Sequence, residues 1–359
     1  MHLFSPSTIW KPAVFHGHHR RDNYFEGWYY KIASPGGEHS CAIIAGIFIS
    51  RDPQKHHAFI QFLDGMTGES SYHPYPPSAF SAARDEFFVQ IGENQFSTDR
   101  ILLEIDSPER CVRGELHFTD LTPWPVSLFS PGVMGPYSFV PFMQCNHGIL
   151  SFDHEIRGSL SISGQVVTFT DGRGYCEKDW GAAFPDAYVW MQSNHFGVPG
   201  TSFFGSIATI PWLKGAFTGY IAGLWHRGVL YRFTTYTGAR TELLDVDARS
   251  VRWYLRGGKD VPHTSVSTTA PHAGYTGYRL EVNARRARGA TLLAPYGEMV
   301  PRVLESLSGA LDVRLSGVLP NGDERLLFAE TGRHAGLEVQ GALERIITEA
   351  GVLQHPEYQ

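Results

Sequence analysis

Charge is scarce in this chain. Only 18% of its 359 residues are Asp, Glu, Lys or Arg, and the net charge is −6 at pH 7. With 42% hydrophobic residues, that composition excludes a disordered protein. No concentrated basic face is present, which excludes a nucleic-acid partner; Arg285, Arg286 and Arg288 read as a solvated strand end. Cysteine is equally sparse. Cys41, Cys111, Cys145 and Cys176 are scattered without CxxC spacing and read as small buried hydrophobes in a reducing compartment rather than zinc ligands.

Long apolar runs are missing too. None approaches the roughly 20 residues of a membrane span, and the opening MHLFSPSTIWKPAVFHGHHRRDN lacks the basic start and apolar stretch of a signal peptide. The expectation is a cytoplasmic protein, with peripheral membrane contact left open. Helical periodicity is confined to two candidates, PYGEMVPRVLESL over 295–307 and the ALERIITEAG tail.

What fills the chain is strand pattern. Runs such as EGWYYKIA, CAIIAGIFIS, AYVWMQSNHF and SVRWYLRGG alternate with Gly, Pro and Asp punctuation, the signature of an all-β sandwich or barrel. Each half holds about eight such runs, the number that closes a small barrel around side chains or one ligand. We therefore expect two consecutive antiparallel β-barrel or sandwich domains, 1–185 and 186–359, with a few short helices. Composition thins near Pro199 and Gly200 and across PHTSVSTTAPHAG without marking a clear linker. Aromatic residues reach 13% and fit either packed barrel cores or an apolar ligand cavity.

Strand parity sorts the chemically active motifs. In YFEGWYYK, Tyr24, Glu26, Trp28 and Tyr30 share a face, so Glu26 either joins three aromatics or points to water at a strand end. In FMQCNHGI, Gln144 and Asn146 oppose Cys145 and His147, as a core network or as cavity lining. His154 lies beside Asp153 and Glu155, where a solvated hairpin explains the polarity as readily as a site. His16-Gly17-His18-His19 and His56-His57 look like metal tracts only superficially, because no carboxylate or Cys follows at ligand spacing. The densest stretch is GRGYCEKDWGAAFP. Tyr175, Glu177 and Asp179 fall on one face and Cys176, Lys178 and Trp180 on the other, so two carboxylates stand about 7 Å apart along one face. Further on, Tyr188, Trp190, Gln192, Asn194 and Phe196 share a face, either as pocket lining or as a packed strand.

Together, YFEGWYYK, AFIQFLDG, FMQCNHGILSFDHEIRGSL and FTDGRGYCEKDWGAAFPDAYVWMQSNHF resemble the tocopherol cyclase family in order and spacing. The likeness runs over most of the first 200 residues and loosens afterwards. One departure is Met143-Gln144-Cys145, where the family often carries Met-Glu-Cys. The resemblance implies lipocalin-like barrels and an enzyme that closes a prenylated quinol into a chromanol.

That chemistry adds a phenol oxygen across a trisubstituted alkene. It needs a proton donor, a phenol-proton acceptor and a dry cavity, with no metal and no cofactor. The substrate, and so the partner, is a hydrophobic prenylated aromatic or other isoprenoid; the sequence leaves the oligomeric state unassigned. The expected donor is Asp179 or Glu177, with Lys178 and Arg173 setting its charge state and His147 taking the phenol proton. Asn146, Gln192 and Asn194 would orient the head group, while Glu26, Trp28, Tyr175, Trp180 and Trp190 line the cavity. Aromatic faces stabilise a developing cation by about 2 kcal/mol each when desolvated. Two competing readings are an isoprenoid carrier without chemistry, and EKDWG as a latch in which Lys178 pairs with a carboxylate across the two barrels.

Overall fold

The computed structural model describes residues 8–262 and 274–349. The thinned stretch over 263–273, the first seven residues of the N-terminal segment and the end of the tail lie outside them. The described residues are all-β, with short 3-10 turns and one short helix, α1 (Glu344–Glu349), in the expected tail. No described helix is long and apolar enough to cross a membrane.

The chain forms two compact units. The first holds β1 (Tyr24–Ala33), β2 (Ser40–Ile49), β3 (His57–Asp64), β4 (Glu69–Tyr75), β5 (Phe80–Ala82) and β6 (Phe88–Ile91). It continues with β7 (Asn94–Ser97), β8 (Arg100–Asp106), β9 (Cys111–Thr119), β10 (Cys145–Ile162), β11 (Gln165–Thr168) and β12 (Gly172–Gly181). These pair in the order β4-β3-β2-β1-β12-β10-β9-β8-β7-β6-β5, with β11 on β10. One hydrophobic core takes Ile60 from β3 and Val89 and Ile91 from β6, strands near opposite ends of that order. The sheet therefore curls around a single interior, as β-sheet twist favours.

The second unit holds β13 (Tyr188–Ser193), β14 (Ser202–Trp212), β15 (Gly215–His226), β16 (Val229–Thr234), β17 (Arg240–Val246) and β18 (Ser250–Arg256). It continues with β19 (Lys259–Pro262), β20 (Gly277–Arg285) and β23 (Glu324–Gln340), and with the part of β22 (Glu298–Val318) after Leu307; β21 (Ala290–Tyr296) precedes β22 in the chain. Its core centres on Trp253, Phe203, Leu280 and Leu315.

The sequence reading placed all of 186–359 in one C-terminal domain, but Gly289–Leu307, with β21 and the start of β22, clusters with the first unit. The Gln61 side chain bonds both backbone groups of Leu293 (2.9 and 2.8 Å), and Ser70 donates to the Thr291 carbonyl (2.9 Å). The same segment corrects the helix expected over 295–307, which is strand. Its apolar spacing mimics a helix because prolines at 295 and 301 and a β-bulge at Arg302, skipped where Leu292 pairs with Val303 and Leu293 with Pro301, break the period of two.

Candidate functional site

Three neighbouring strands of the first unit, β1, β12 and β10, carry most of the chemistry. Their register sets Trp28 opposite Lys178, Tyr29 opposite Glu177, and His147 opposite Asp179. Opposed residues share a face, so parity divides the site as the sequence implied. Tyr24, Trp28, Tyr30 and Cys176 belong to the core, with Trp180 packed against it. Tyr175, Glu177 and Asp179 point the other way, together with Tyr29, Lys31 and His147.

On the core face, Lys178 and Glu26 form an ion pair in which neither side chain reaches solvent. Glu26 is thus no solvated strand end. Its carboxylate also accepts from Tyr24 Oη (2.5 Å) and from the His16 backbone N–H (2.9 and 3.0 Å). Burial opposes its charge, but Lys178 and then His16 outweigh burial and bring its pKa to about 2. Lys178 Nζ also donates to the carbonyls of Pro12 (3.0 Å) and Val14 (2.5 Å), and His16 Nδ1 stands 2.8 Å from it, so four acceptors share its three N–H groups. Burial lowers the Lys178 pKa to about 8 against the pull of Glu26. His16 Nδ1 can accept only in the tautomer whose Nε2–H donates to the Thr8 carbonyl (3.3 Å). Burial and then Lys178 accordingly push the His16 pKa down. Its ring lies flat on Trp180, with centroids 4.6 Å apart, and Lys178 sits over both Trp180 (4.6 Å) and Trp28 (4.9 Å). The group ties the segment around residues 12–16 to the barrel.

On the opposite face, His147 lies between two carboxylates. Nδ1 is 2.8 Å from Asp179 Oδ1 and Nε2 is 3.5 Å from Glu177 Oε2. Burial alone would lower the His147 pKa; Asp179, then Glu177, reverse this and raise it to about 9. The ring is therefore an imidazolium at neutral pH. Tyr175 Oη donates to Glu177, and burial followed by the Glu177 charge pushes the phenol well up. Where β10 begins, a cavity of about 20 Å³ is lined by Ile9, Pro12, His16, Pro131, Gly132, Ser138, Asn146, His147 and Trp180. That volume suits one water, not a prenyl quinol.

Other expected residues have different partners. The Arg173 guanidinium pairs with Asp153 (2.8 Å), about 13 Å along β12 from Glu177. Asp153 and His154 are buried, not a solvated hairpin, because β10 is irregular between Ile149 and His154. With Lys178 bound to Glu26, neither expected cation is the direct partner of Asp179 or Glu177; His147 is. The latch reading also changes, because Lys178 finds its carboxylate within its own unit. Trp28 donates Nε1–H to the Ala13 carbonyl (2.9 Å) and stacks on Phe87, so it belongs to the packed core. Asn146 Nδ2 reaches the Trp180 carbonyl (3.4 Å) and borders the cavity.

Trp190 and Gln192 lie on β13, in the second unit, on the face turned away from its core, and Asn194 follows directly after the strand. All three are buried, and neither amide atom of Gln192 has a hydrogen-bond partner among the described residues.

Sequence reasoning passed over His16, Tyr29, Lys31 and Glu305. The histidine tract stood out only as a weak metal signal, and Glu305 lay in the misread helix.

His147, Glu177 and Asp179 bring ligand-type atoms within 4.8 Å of one another. One ligand atom from each residue belongs to that group, matching the number of protein ligands in a catalytic zinc site, while the same three groups share a proton through the 2.8 Å contact of His147 Nδ1 with Asp179.

Curled antiparallel barrels carrying a buried acid–base cluster define a barrel protein with a chemically armed strand face. The sequence profile described as tocopherol cyclase-like matches residues 115–341, more than half of the chain, and the protein belongs to that family. The match extends well past residue 200, where the sequence alone suggested only a loose likeness. The crystal structure of CghA with Sch210972 is similar, with 14% identity, 89% of each chain covered and a TM-score of 0.52. A Nitrosomonas europaea protein assigned as AttH is similar at 13% identity, with 95% of this chain and 97% of that one covered and a TM-score of 0.50. At these identities the likeness speaks for the fold. No curated protein sequence matches the chain.

Proposed function

We propose that this protein is a cofactor-independent cyclase, which closes a prenylated quinol or related terpenoid phenol to a chromanol by adding the phenol oxygen to an alkene. The observation that carries this reading is the His147 imidazolium held between Asp179 and Glu177 on a buried face. Family membership supports an enzyme of this kind.

The charge of His147 changes the roles the sequence suggested. A cationic ring cannot take the phenol proton; it can hold a developing phenoxide. A carboxylate beside an imidazolium acts as an acceptor at neutral pH, so Glu177 or Asp179 receives the phenol proton. The water-sized cavity at His147 means that a prenyl chain lies elsewhere or that the 8–16 segment moves to admit it.

The test is incubation of purified protein with geranyl hydroquinone, followed by chromatography and NMR. Cyclisation gives an isomer of the same mass with the chromanol ring. Probe returned unchanged but bound would favour an isoprenoid carrier, and probe neither bound nor converted would end both readings.

A further inference from the structure

If Glu177 and Asp179 accept protons, the alkene still needs an acid. The returning segment Gly289–Leu307 supplies a third carboxyl, Glu305 of β22, which is fully buried. Tyr29 Oη donates to its Oε1 at 2.5 Å. Its Oε2 meets no hydrogen-bond donor among the described residues. An ionised carboxylate with a bare oxygen in the interior is costly, whereas a protonated carboxyl offers that oxygen as an O–H to whatever sits against it.

The surroundings agree. The titratable groups facing Glu305 are Tyr29 and Lys31 from β1 and Glu177 from β12. Burial is the largest influence and Glu177 adds to it, while Tyr29 and Lys31 oppose; the result is a carboxyl pushed up to about 8. Lys31, also fully buried, is driven the other way by burial, to about 7, against the pull of Glu305 and Glu177. It therefore adds only part of a positive charge to hold Glu305 ionised.

Register joins Glu305 to the pair around His147. Tyr29, its hydrogen-bond donor, stands opposite Glu177, and Glu177 is bonded by Tyr175 and lies beside His147. Glu305 thus meets this face through Tyr29, and Tyr29, Glu177 and His147 follow one another across it.

We propose, resting on the cyclase reading above, that Glu305 is the catalytic acid of this face. Its Oε2–H bond breaks as the alkene π electrons form the new C–H bond at the less substituted carbon. A lone pair of the phenol oxygen forms the C–O bond at the tertiary carbon, and the phenol proton passes to the Glu177 carboxylate. Return of that proton to Glu305 through the Tyr29 hydroxyl restores the resting state, with no net proton, oxidant or reductant consumed.

The experiment uses the full chain and Glu305→Gln, which keeps an acceptor for Tyr29 but has no acidic proton. With geranyl hydroquinone, kcat should fall at least about 100-fold, as for loss of a general acid, while KM stays within about threefold. The alkaline limb of the wild-type rate profile, centred near pH 8, should vanish from the residual activity. A kcat within about threefold of wild type, or a limb that persists, would overturn the assignment. Infrared titration reads the acid without turnover. A protonated carboxyl band lost near pH 8, and missing from Glu305→Gln, supports it. Absence of that band from the wild type at pH 6 overturns it whatever the probe does. Wild-type protein that shows the band and leaves the probe unchanged supports the buried acid and sinks the cyclase reading instead.

Discussion

The ammonium of Lys178 and the carboxylate of Glu26 pair where neither touches solvent, and the same two groups hold the backbone of Pro12, Val14 and His16. Removing one partner leaves the other charged and buried, which costs about 3–5 kcal/mol. Lys178→Met should lower stability in urea by that amount, and Glu26→Gln by a similar one. The double variant should be less destabilised than the sum of the two, because each single change strands its partner. Additive losses would show that the pair does not act as a unit. The acid side of this pair has a definite sign. The folded Glu26 pKa, about 2, lies below its ordinary 4.5. Its contribution is therefore present above 4.5 and is lost as pH falls toward 2, a loss that Glu26→Gln should not show.

His147 gives the opposite dependence. Its folded pKa, about 9, lies above the ordinary 6.5, so its stabilisation is complete below 6.5 and disappears as pH rises through 9. Asp179→Asn removes the nearer carboxylate, so the imidazolium should titrate lower and the alkaline loss should begin earlier. NMR titration of the His147 ring protons in both proteins checks this directly. An unchanged midpoint would show that Glu177 alone holds the proton.

Much of this arrangement was legible in the sequence, because strand parity is a local property. The two faces of β12 followed from a period of two, as did the opposition of Asn146 and His147 on β10. What parity could not supply was which residues from distant segments meet each face. Lys178 looked like a partner for Asp179 because they are adjacent in sequence, yet adjacent strand residues point apart, and Glu26 came to Lys178 from β1. His16 reached Trp180 from a 3-10 turn region with no strand pattern. Glu305 was hidden because a bulge at Arg302 and Pro301 beside it gave its strand the spacing of a helix. Charge state was equally beyond reach, since the His147 shift depends on two carboxylates approaching two different ring nitrogens.

Gly181, which closes the EKDWG stretch, has a packing reason to be glycine. A Cβ there would stand 2.2 Å from the Gln144 carbonyl oxygen and 3.0 Å from Cys145 Cα, both backbone atoms that cannot step aside cheaply. Gly181→Ala should therefore push β10 from β12 at Cys145, two residues from where His147 and Asp179 face each other, costing about 1–3 kcal/mol of stability. Thermal melting reads the stability, and the His147 midpoint reads the spacing. A variant that melts like wild type would show that the strands part without strain.

The two carboxylates beside His147 should separate by the step they serve. Glu177 is bonded by Tyr175 and stands opposite Tyr29, within the buried row that leads to Glu305. Asp179, a quarter exposed, borders solvent and holds Nδ1. Glu177→Gln should then lower kcat for geranyl hydroquinone by about 100-fold or more, because the acceptor is lost from the proton circuit. Asp179→Asn keeps that circuit and loses mainly the charge that holds His147 cationic. Its activity should survive in acid and fall away at lower pH than in wild type, as the ring loses its proton. Equal losses from both variants at every pH would mean that the carboxylates act as one unit, and the separate roles argued from their different neighbours would have to be given up.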